Sequence, residues 1–283
     1  MTGLFLVDKQ AGPTSFGVLR GLRPALGAKL GHAGTLDPFA TGLLLVLSGP
    51  ATRLATYLSG LDKRYTAVVQ LGATSSTLDP EGDIEPTGRQ AGEDAVRAAV
   101  PALTGHVEQR VPLASAVKVG GERSYRRMRR GETEAPAPRT VHIRQLDVTA
   151  FDHGRQVVTI DVECSKGTYV RQLAADLGEA VDAGAYCLEL RRTAIGTFSV
   201  AHAGTPEQIA ADPSGPWRLD LREALPHLPE RVLADEELDD VRHGRRLVPR
   251  GETGPVRLVH HGDLAAIGEP GERGIRPAVV LAR

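Results

Sequence analysis

The stretch VHIRQLDVTAFDHGRQVVTIDVEC, Val141 to Cys164, contains two alternating runs, Val141–Phe151 and Gln156–Cys164, joined by the polar tetrapeptide DHGR. Period-two alternation rich in β-branched residues marks strands with one buried face, and a short Gly-containing connection makes the two an antiparallel hairpin. Further strands are read outward from it: Leu4–Asp8, Gly42–Leu47, RYTAVVQL (Arg64–Leu71) and AYCLELRRTAIGTFSV (Ala185–Val200). Helices fall between them. Thr14 or Ser15 caps one that Pro24 is expected to end early, Ala51–Leu58 and Ala91–Leu103 read as two more, and Val170, Leu173, Ala174 and Leu177 recur at helical spacing within Tyr169–Val181. Thr74–Gly88, polar and broken by Pro and Gly, reads as a long loop. Strands outnumber helices and join mostly by hairpins, so the expected class is α+β, a mixed, mainly antiparallel central sheet flanked by helices. Helix breakers cluster in ALPHLPE (Ala224–Glu230), which divides the chain into residues 1–228 and a small β-rich module, 229–283.

Composition narrows the function classes. The chain has 283 residues, 41% hydrophobic and 24% charged, with no apolar run approaching the roughly 20 residues of a membrane helix. The N-terminus lacks the basic and long apolar regions of a signal peptide, so a cytoplasmic location without membrane contact is expected. Two cysteines, Cys164 and Cys187, have neither zinc-ligand spacing nor a disulfide pattern and read as buried thiols. A net charge of -1 conceals local bias: residues 1–60 hold five basic side chains (Lys9, Arg20, Arg23, Lys29, Arg53) against Asp8 and Asp37, and residues 120–144 hold seven arginines against three glutamates. Such patches suit a polyanion, because phosphate contacts release counterions. A solvated helix face has the same composition.

Within the first basic stretch lies GHAGTLDPFATGLL (Gly31–Leu44). Taken alone, its Asp-Pro pair is a turn, since Asp bonds nearby backbone and Pro fixes its own φ. Three features favour a ligand site: Gly31, Gly34 and Gly42 allow close backbone approach, His32 and Thr35 add polar groups, and a cationic setting would keep Asp37 ionised. Arg171 sits near the start of a predicted helix, where the helix dipole disfavours a cation. A carboxylate partner would account for it.

These segments, together with DKQAGPTS (Asp8–Ser15), KRYTA (Lys63–Ala67), CSKGTYVRQLAADLG (Cys164–Gly178) and LRRT (Leu190–Thr193), resemble the TruB family of tRNA pseudouridine synthases, in the family's order over most of residues 1–200. The resemblance implies an α+β catalytic domain followed by a PUA or PUA-like RNA-binding module, action on the uridine of the tRNA T loop, and neither cofactor nor metal. It implies that Asp37 is the nucleophile, attacking either the base or the ribose anomeric carbon. Tyr65 would pack on the base and take part in proton transfer, Arg171 would pair with Asp37, Tyr169 and Leu190 would line the uracil pocket, and His32 would fill the gap left by a flipped base. Lys9 falls in the N-terminal signature and is grouped with Gly34 and Thr35 at the substrate. Arg126, Arg127, Arg129 and Lys166 are read as contacts to the RNA backbone. Gln10 and Ala114 depart from the family pattern, in which the first is usually Pro and the second often aromatic. A lone carboxylate also suits isomerisation, because glycoside hydrolysis usually employs a second one to activate water. The expected partner is the T arm of tRNA, bound by a monomer needing no other protein. The competing reading is a tRNA-folding chaperone using the same basic surface, and a guide-RNA-dependent relative of the family is a weaker one.

Overall fold

The computed structural model describes residues 1–115, 117–132 and 134–282, and their side chains other than those of 118, 119, 123, 125, 126 and 129. The strands are β1 (Gly3–Lys9), β2 (Leu30–Ala33), β3 (Thr41–Ser48), β4 (Lys63–Leu71), β5 (Ala73–Ser75), β6 (Ile84–Pro86), β7 (Gly105–Gln109), β8 (Lys118–Val119), β9 (Glu122–Arg123), β10 (Arg139–Asp152), β11 (Val157–Cys164), β12 (Ala185–Ile195), β13 (Phe198–Ser199), β14 (Arg218–Leu219), β15 (Glu230–Val232), β16 (Val256–His260), β17 (Asp263–Gly271) and β18 (Gly274–Val280). The helices are α1 (Ser15–Leu26), α2 (Ala55–Ser59), α3 (Glu93–Ala99), α4 (Ser124–Arg129), α5 (Val170–Ala180), α6 (Pro206–Ala211) and α7 (Asp235–Arg242).

The main sheet runs β14-β1-β3-β12-β4-β11-β10-β7, with β2 added to β3 and β13 to β12. The predicted hairpin is β10–β11, pairing Val148 with Ile160 and Phe151 with Val158. Between named strands of this sheet the pairing is antiparallel except at β3–β12, where Arg191 faces Thr41 and Arg192 faces Gly42. The sheet is therefore mixed and mainly antiparallel, as the alternation predicted.

Burial explains why TGLLLVLS in β3 does not alternate. Leu43, Leu45 and Leu47 enter a cluster with Leu54, Leu58, Val259, Leu264, Ile267 and Val279, whereas Leu44 and Val46 face Val18, Leu19, Leu22 and Leu26 of α1. A strand covered on both faces reads as a continuous apolar run. All five central residues are fully buried, each contributing about 1.5–3 kcal/mol of transfer free energy. The first cluster also joins the C-terminal sheet, β15-β16-β17-β18, to the rest of the chain. Arg53 reinforces that contact by donating to the Val280 carbonyl at 2.8 Å, and the Tyr57 hydroxyl bonds Glu269 at 2.8 Å.

Local expectations are corrected in five places. Pro24 does not end α1: the helix continues to Leu26, where Gly27, at φ 58°, bonds the Arg23 carbonyl. A proline in the last turn forfeits one hydrogen bond but does not prevent helical φ, so the left-handed glycine sets the end. Ala51–Leu58 begins instead as a 3-10 turn, Gly49–Leu54, before α2, and Ala91–Leu103 becomes α3 followed by a 3-10 turn. Thr74–Gly88 is not simply a loop, because β5 and β6 pair within it. The C-terminal module, read as strands and turns, also contains α7, whose first turn carries Asp235, Glu236 and Glu237. Acids there complement the helix dipole.

Candidate active site

The segment Gly34–Ala40 that presents Asp37 leaves β2 and enters β3, and it is clamped from three sides. Lys9, fully buried, donates its ammonium to the carbonyls of Gln10 (2.9 Å), Pro38 (3.0 Å) and Ala40 (2.6 Å). The Ser15 hydroxyl bonds both the N–H and the carbonyl of Leu36, at 2.8 and 2.9 Å. Arg192, 1% exposed, donates to the carbonyls of Leu43 (2.7 Å), Gly34 (3.0 Å) and Thr35 (3.4 Å). Gly42 makes the β3–β12 approach possible: a Cβ there would lie 2.3 Å from the Arg192 carbonyl oxygen, at φ 99°. Lys9, grouped with the substrate contacts on sequence, thus has all three donors engaged inside the protein.

Asp37 meets Arg171 at the entrance to α5. Arg171 Nε lies 2.9 Å from Asp37 Oδ2, although its N–H is not directed at an acceptor. The contact is charge pairing without an aligned hydrogen bond. The rest of the guanidinium is firmly held, with Nη1 bonded to the Thr77 carbonyl (2.8 Å) and Asp79 Oδ2 (3.1 Å), and Nη2 to the Ala114 carbonyl (2.9 Å). Asp37 is therefore not the single carboxylate expected. Both acids lie in the same tetrapeptide, TLDP, at residues 35–38 and 77–80. This duplication was the available sequence signal for Asp79.

The two carboxylates differ in what remains free. Asp79 has a side chain 4% exposed, and its Oδ1 accepts from the Thr77 hydroxyl (2.6 Å) and the Glu81 N–H (3.0 Å). Asp37 has a side chain 33% exposed and takes no directed hydrogen bond from the described residues. Burial pushes the Asp37 carboxyl above its ordinary range; the Arg171 guanidinium opposes this and the nearby Asp79 charge adds to it. Sequence reasoning weighed only the cationic setting, which lowers this carboxyl; removal from water acts the other way and is the larger effect.

Asp37 opens into a cavity of about 360 Å³ whose lining includes Gly34, Thr35, Tyr65, Tyr169, Leu190 and Arg171. Tyr65 and Leu190 are buried walls, at 8% and 7% exposure. Burial raises the Tyr65 hydroxyl pKa, with the Arg192 charge opposing. Tyr169 caps α5 and carries the Arg139 guanidinium 4.7 Å from its ring centre. Sequence reasoning did not single out Arg139, Lys63 or Arg192 as site residues. Lys63 lines the same cavity, bonded to the carbonyls of Ser59 and Leu61, and burial lowers it to about 8.

Other expected residues lie elsewhere. His32 stands half-buried on β2, outside this cavity lining, with Nδ1 unbonded and its pKa lowered by burial. Lys166 is exposed, just before the cavity residue Gly167. Arg127 is half-buried and pairs with Glu132 and Glu134, both at 2.7 Å, so part of the expected cationic surface is neutralised by its own glutamates. Side chains of Arg126 and Arg129 lie outside those described. Cys164 and Cys187 are free and buried.

A family model described as TruB family pseudouridylate synthase (N terminal domain) matches residues 23–170. The chain is 40% identical over 291 residues to tRNA pseudouridine synthase B of Thermobifida fusca (strain YX), spanning 99% of this chain and 98% of that one. It is 43% identical over 254 residues to the protein of the same name from Arthrobacter sp. (strain FB24), spanning 87% and 82%. Among solved structures, it resembles an H/ACA RNP bound to a substrate RNA containing 2′-deoxyuridine (TM-score 0.76, 22% identity, 99% of this chain and 85% of that one). It also resembles a Cbf5-Nop10-Gar1 complex, with a TM-score of 0.73 and 25% identity over 99% of this chain and 84% of that one.

Proposed function

The chain belongs to the TruB family of pseudouridylate synthases, and from that premise we propose that it converts uridine-55 in the tRNA T loop to pseudouridine, with Asp37 as nucleophile and without a cofactor. The observation that carries this reading is the asymmetry of the carboxylates: Asp79 is engaged on both oxygens, while Asp37 keeps an unbonded oxygen at the cavity. The reaction is an isomerisation. The bond from ribose C1′ to uracil N1 breaks, the uracil turns, a bond from C1′ to C5 forms, the C5 proton is released and N1 takes up a proton, so atoms and charge balance.

Asp37 attacks either the anomeric carbon or the base and leaves at the end. Arg171 holds it in place, and Tyr65, Leu190 and Tyr169 retain the detached uracil. Hydrolysis would need a second carboxylate to activate water. Asp79 is buried, accepts on both oxygens and does not line the cavity, which supports isomerisation. The target must leave its stack to enter the cavity, at a cost of a few kcal/mol, and His32, on the strand leading into this loop, suits the vacated space. Lys166 and the arginines of α4 grip the RNA backbone, and residues 229–283 act as a PUA-like RNA-binding module attached to the catalytic domain 1–228.

The test uses an unmodified T-arm transcript and the purified protein alone. Pseudouridine is expected at position 55, and Asp37→Asn is expected to abolish it while retaining binding. Full activity in that variant overturns the mechanism. A requirement for added RNA or protein would favour the guide-dependent relatives, and retained tRNA refolding in Asp37→Asn would reveal a chaperone activity alongside catalysis.

A further inference from the structure

We propose that Asp235, His260 and His261 form a binding site for a borderline divalent cation, Zn2+ foremost, that ties the N-terminus of α7 to the β16–β17 turn. Each residue offers one donor atom, and the three donors lie within 4.8 Å of one another. His260 Nε2 is 2.7 Å and His261 Nε2 3.8 Å from the same oxygen, Asp235 Oδ1. Bonds of about 2.0–2.2 Å to a tetrahedral Zn2+ place donors roughly 3.3 Å apart, a value between these two spacings. The third donor pair lies within 4.8 Å, so side-chain adjustments of about 1.5 Å or less convert the present contacts into a coordination sphere.

The backbone brings the donors together from two elements. Asp235 is the first residue of α7, held where the Glu237 carboxylate accepts from the Ala234 N–H at 3.1 Å. The two histidines stand at the end of β16, where His260 pairs with Asp263 and His261 and Gly262 have φ 47° and 90°. Left-handed φ at two successive turn residues makes a tight hairpin that turns adjacent side chains to the same end of the sheet. Their rings meet edge to face, with centroids 4.1 Å apart and planes at 82°. Crossed rings let two neighbouring imidazoles aim nitrogens at one point without stacking.

Donor chemistry selects the ion. Two imidazoles and one carboxylate suit Zn2+ and disfavour Ca2+ or Mg2+, which take oxygen ligands. In the metal-free form the Asp235 carboxylate only accepts, so its 2.7 Å partner, His260 Nε2, carries a proton. Metal binding moves that ring to the Nδ1–H tautomer and the ion takes the proton's place. The cluster borders an open depression of about 550 Å³, which admits the ion and leaves room for water at the fourth position.

The full chain, stripped with a chelator, is titrated with Zn2+ by calorimetry and with Co2+ by visible absorption. One equivalent is expected to bind in the micromolar range or tighter, with the d–d bands of four-coordinate Co2+ and no thiolate charge-transfer band. His261→Ala and Asp235→Asn, both at exposed positions, are each expected to weaken binding by roughly tenfold or more. His106→Ala, in the separate stacked pair His106–His142, is expected to leave it unchanged. Zn2+ is also expected to raise the melting temperature of the unsubstituted chain but not of His261→Ala. Millimolar binding, binding that survives His261→Ala, or binding lost in His106→Ala overturns the proposal.

Discussion

Arg171 pairs with two carboxylates, and neutralising each in turn is expected to give opposite results. Asp79→Ala removes the partner at 3.1 Å from a guanidinium whose side chain is 2% exposed. Removing one member of a buried pair costs about 3–5 kcal/mol, because the other charge stays buried. Arg171 keeps Asp37 and the carbonyls of Thr77 and Ala114, so the loss belongs at the low end, about 3 kcal/mol. Asp37→Asn removes a carboxylate that is one-third exposed and whose contact with Arg171 is not an aligned hydrogen bond. Its folded-state pKa is raised, so this group favours the native state below its unfolded value and loses that contribution as pH rises through its folded value. At neutral pH its charge is a burden on the fold, and Asp37→Asn is expected to leave stability unchanged or slightly increased while abolishing turnover. Urea unfolding at pH 7 measures the first effect and single-turnover pseudouridine formation the second. Equal stability losses in the two variants, or a greater loss in Asp37→Asn, would refute the division into a structural and a reactive carboxylate.

Two more predictions rest on the same site. The acidic limb of the pH–rate profile is expected above the ordinary aspartate value of 3.8, since burial raises Asp37, and Asp79→Asn should move it lower by removing a neighbouring negative charge; a limb at or below 3.8 in the unsubstituted protein contradicts this. Gly42→Ala places a Cβ 2.3 Å from the Arg192 carbonyl at φ 99°, so a loss of about 3 kcal/mol or more is expected in urea unfolding, and a variant within 1 kcal/mol of the parent would show that β3 and β12 separate easily.

Alternation in Val141–Cys164 and Arg64–Leu71 was enough to place β10, β11 and β4, because each buries one face and repeats every two residues. The double-sided run in β3 was legible as a strand, but not as the layer joining α1 to the C-terminal sheet. At the site, the motif segments that carry Asp37, Tyr65, Tyr169, Arg171 and Leu190 converge on one cavity. Lys9 was legible as part of a signature but not as an internal clamp. A lysine's role depends on which carbonyls surround its ammonium, and two of its three, Pro38 and Ala40, lie about thirty residues away. Asp79 escaped notice because polar composition around it resembles an ordinary loop, and only the β5–β6 pairing turns that segment inward.

By itself the sequence determined the strand-rich α+β class, the family, and the segments that carry the site, since these depend on local periodicity and on residue types in fixed short spacings. Tertiary structure alone decided which of two carboxylates faces the cavity. Asp37 and Asp79 share the same tetrapeptide and the same arginine. What separates them is hydrogen bonding and access to the cavity: Asp79 accepts on both oxygens within its own turn and from Arg171, and Asp37 remains partly exposed at the cavity, ion-paired to Arg171 through Oδ2 alone. That difference arises from contacts among residues distant in the chain, which no local pattern encodes.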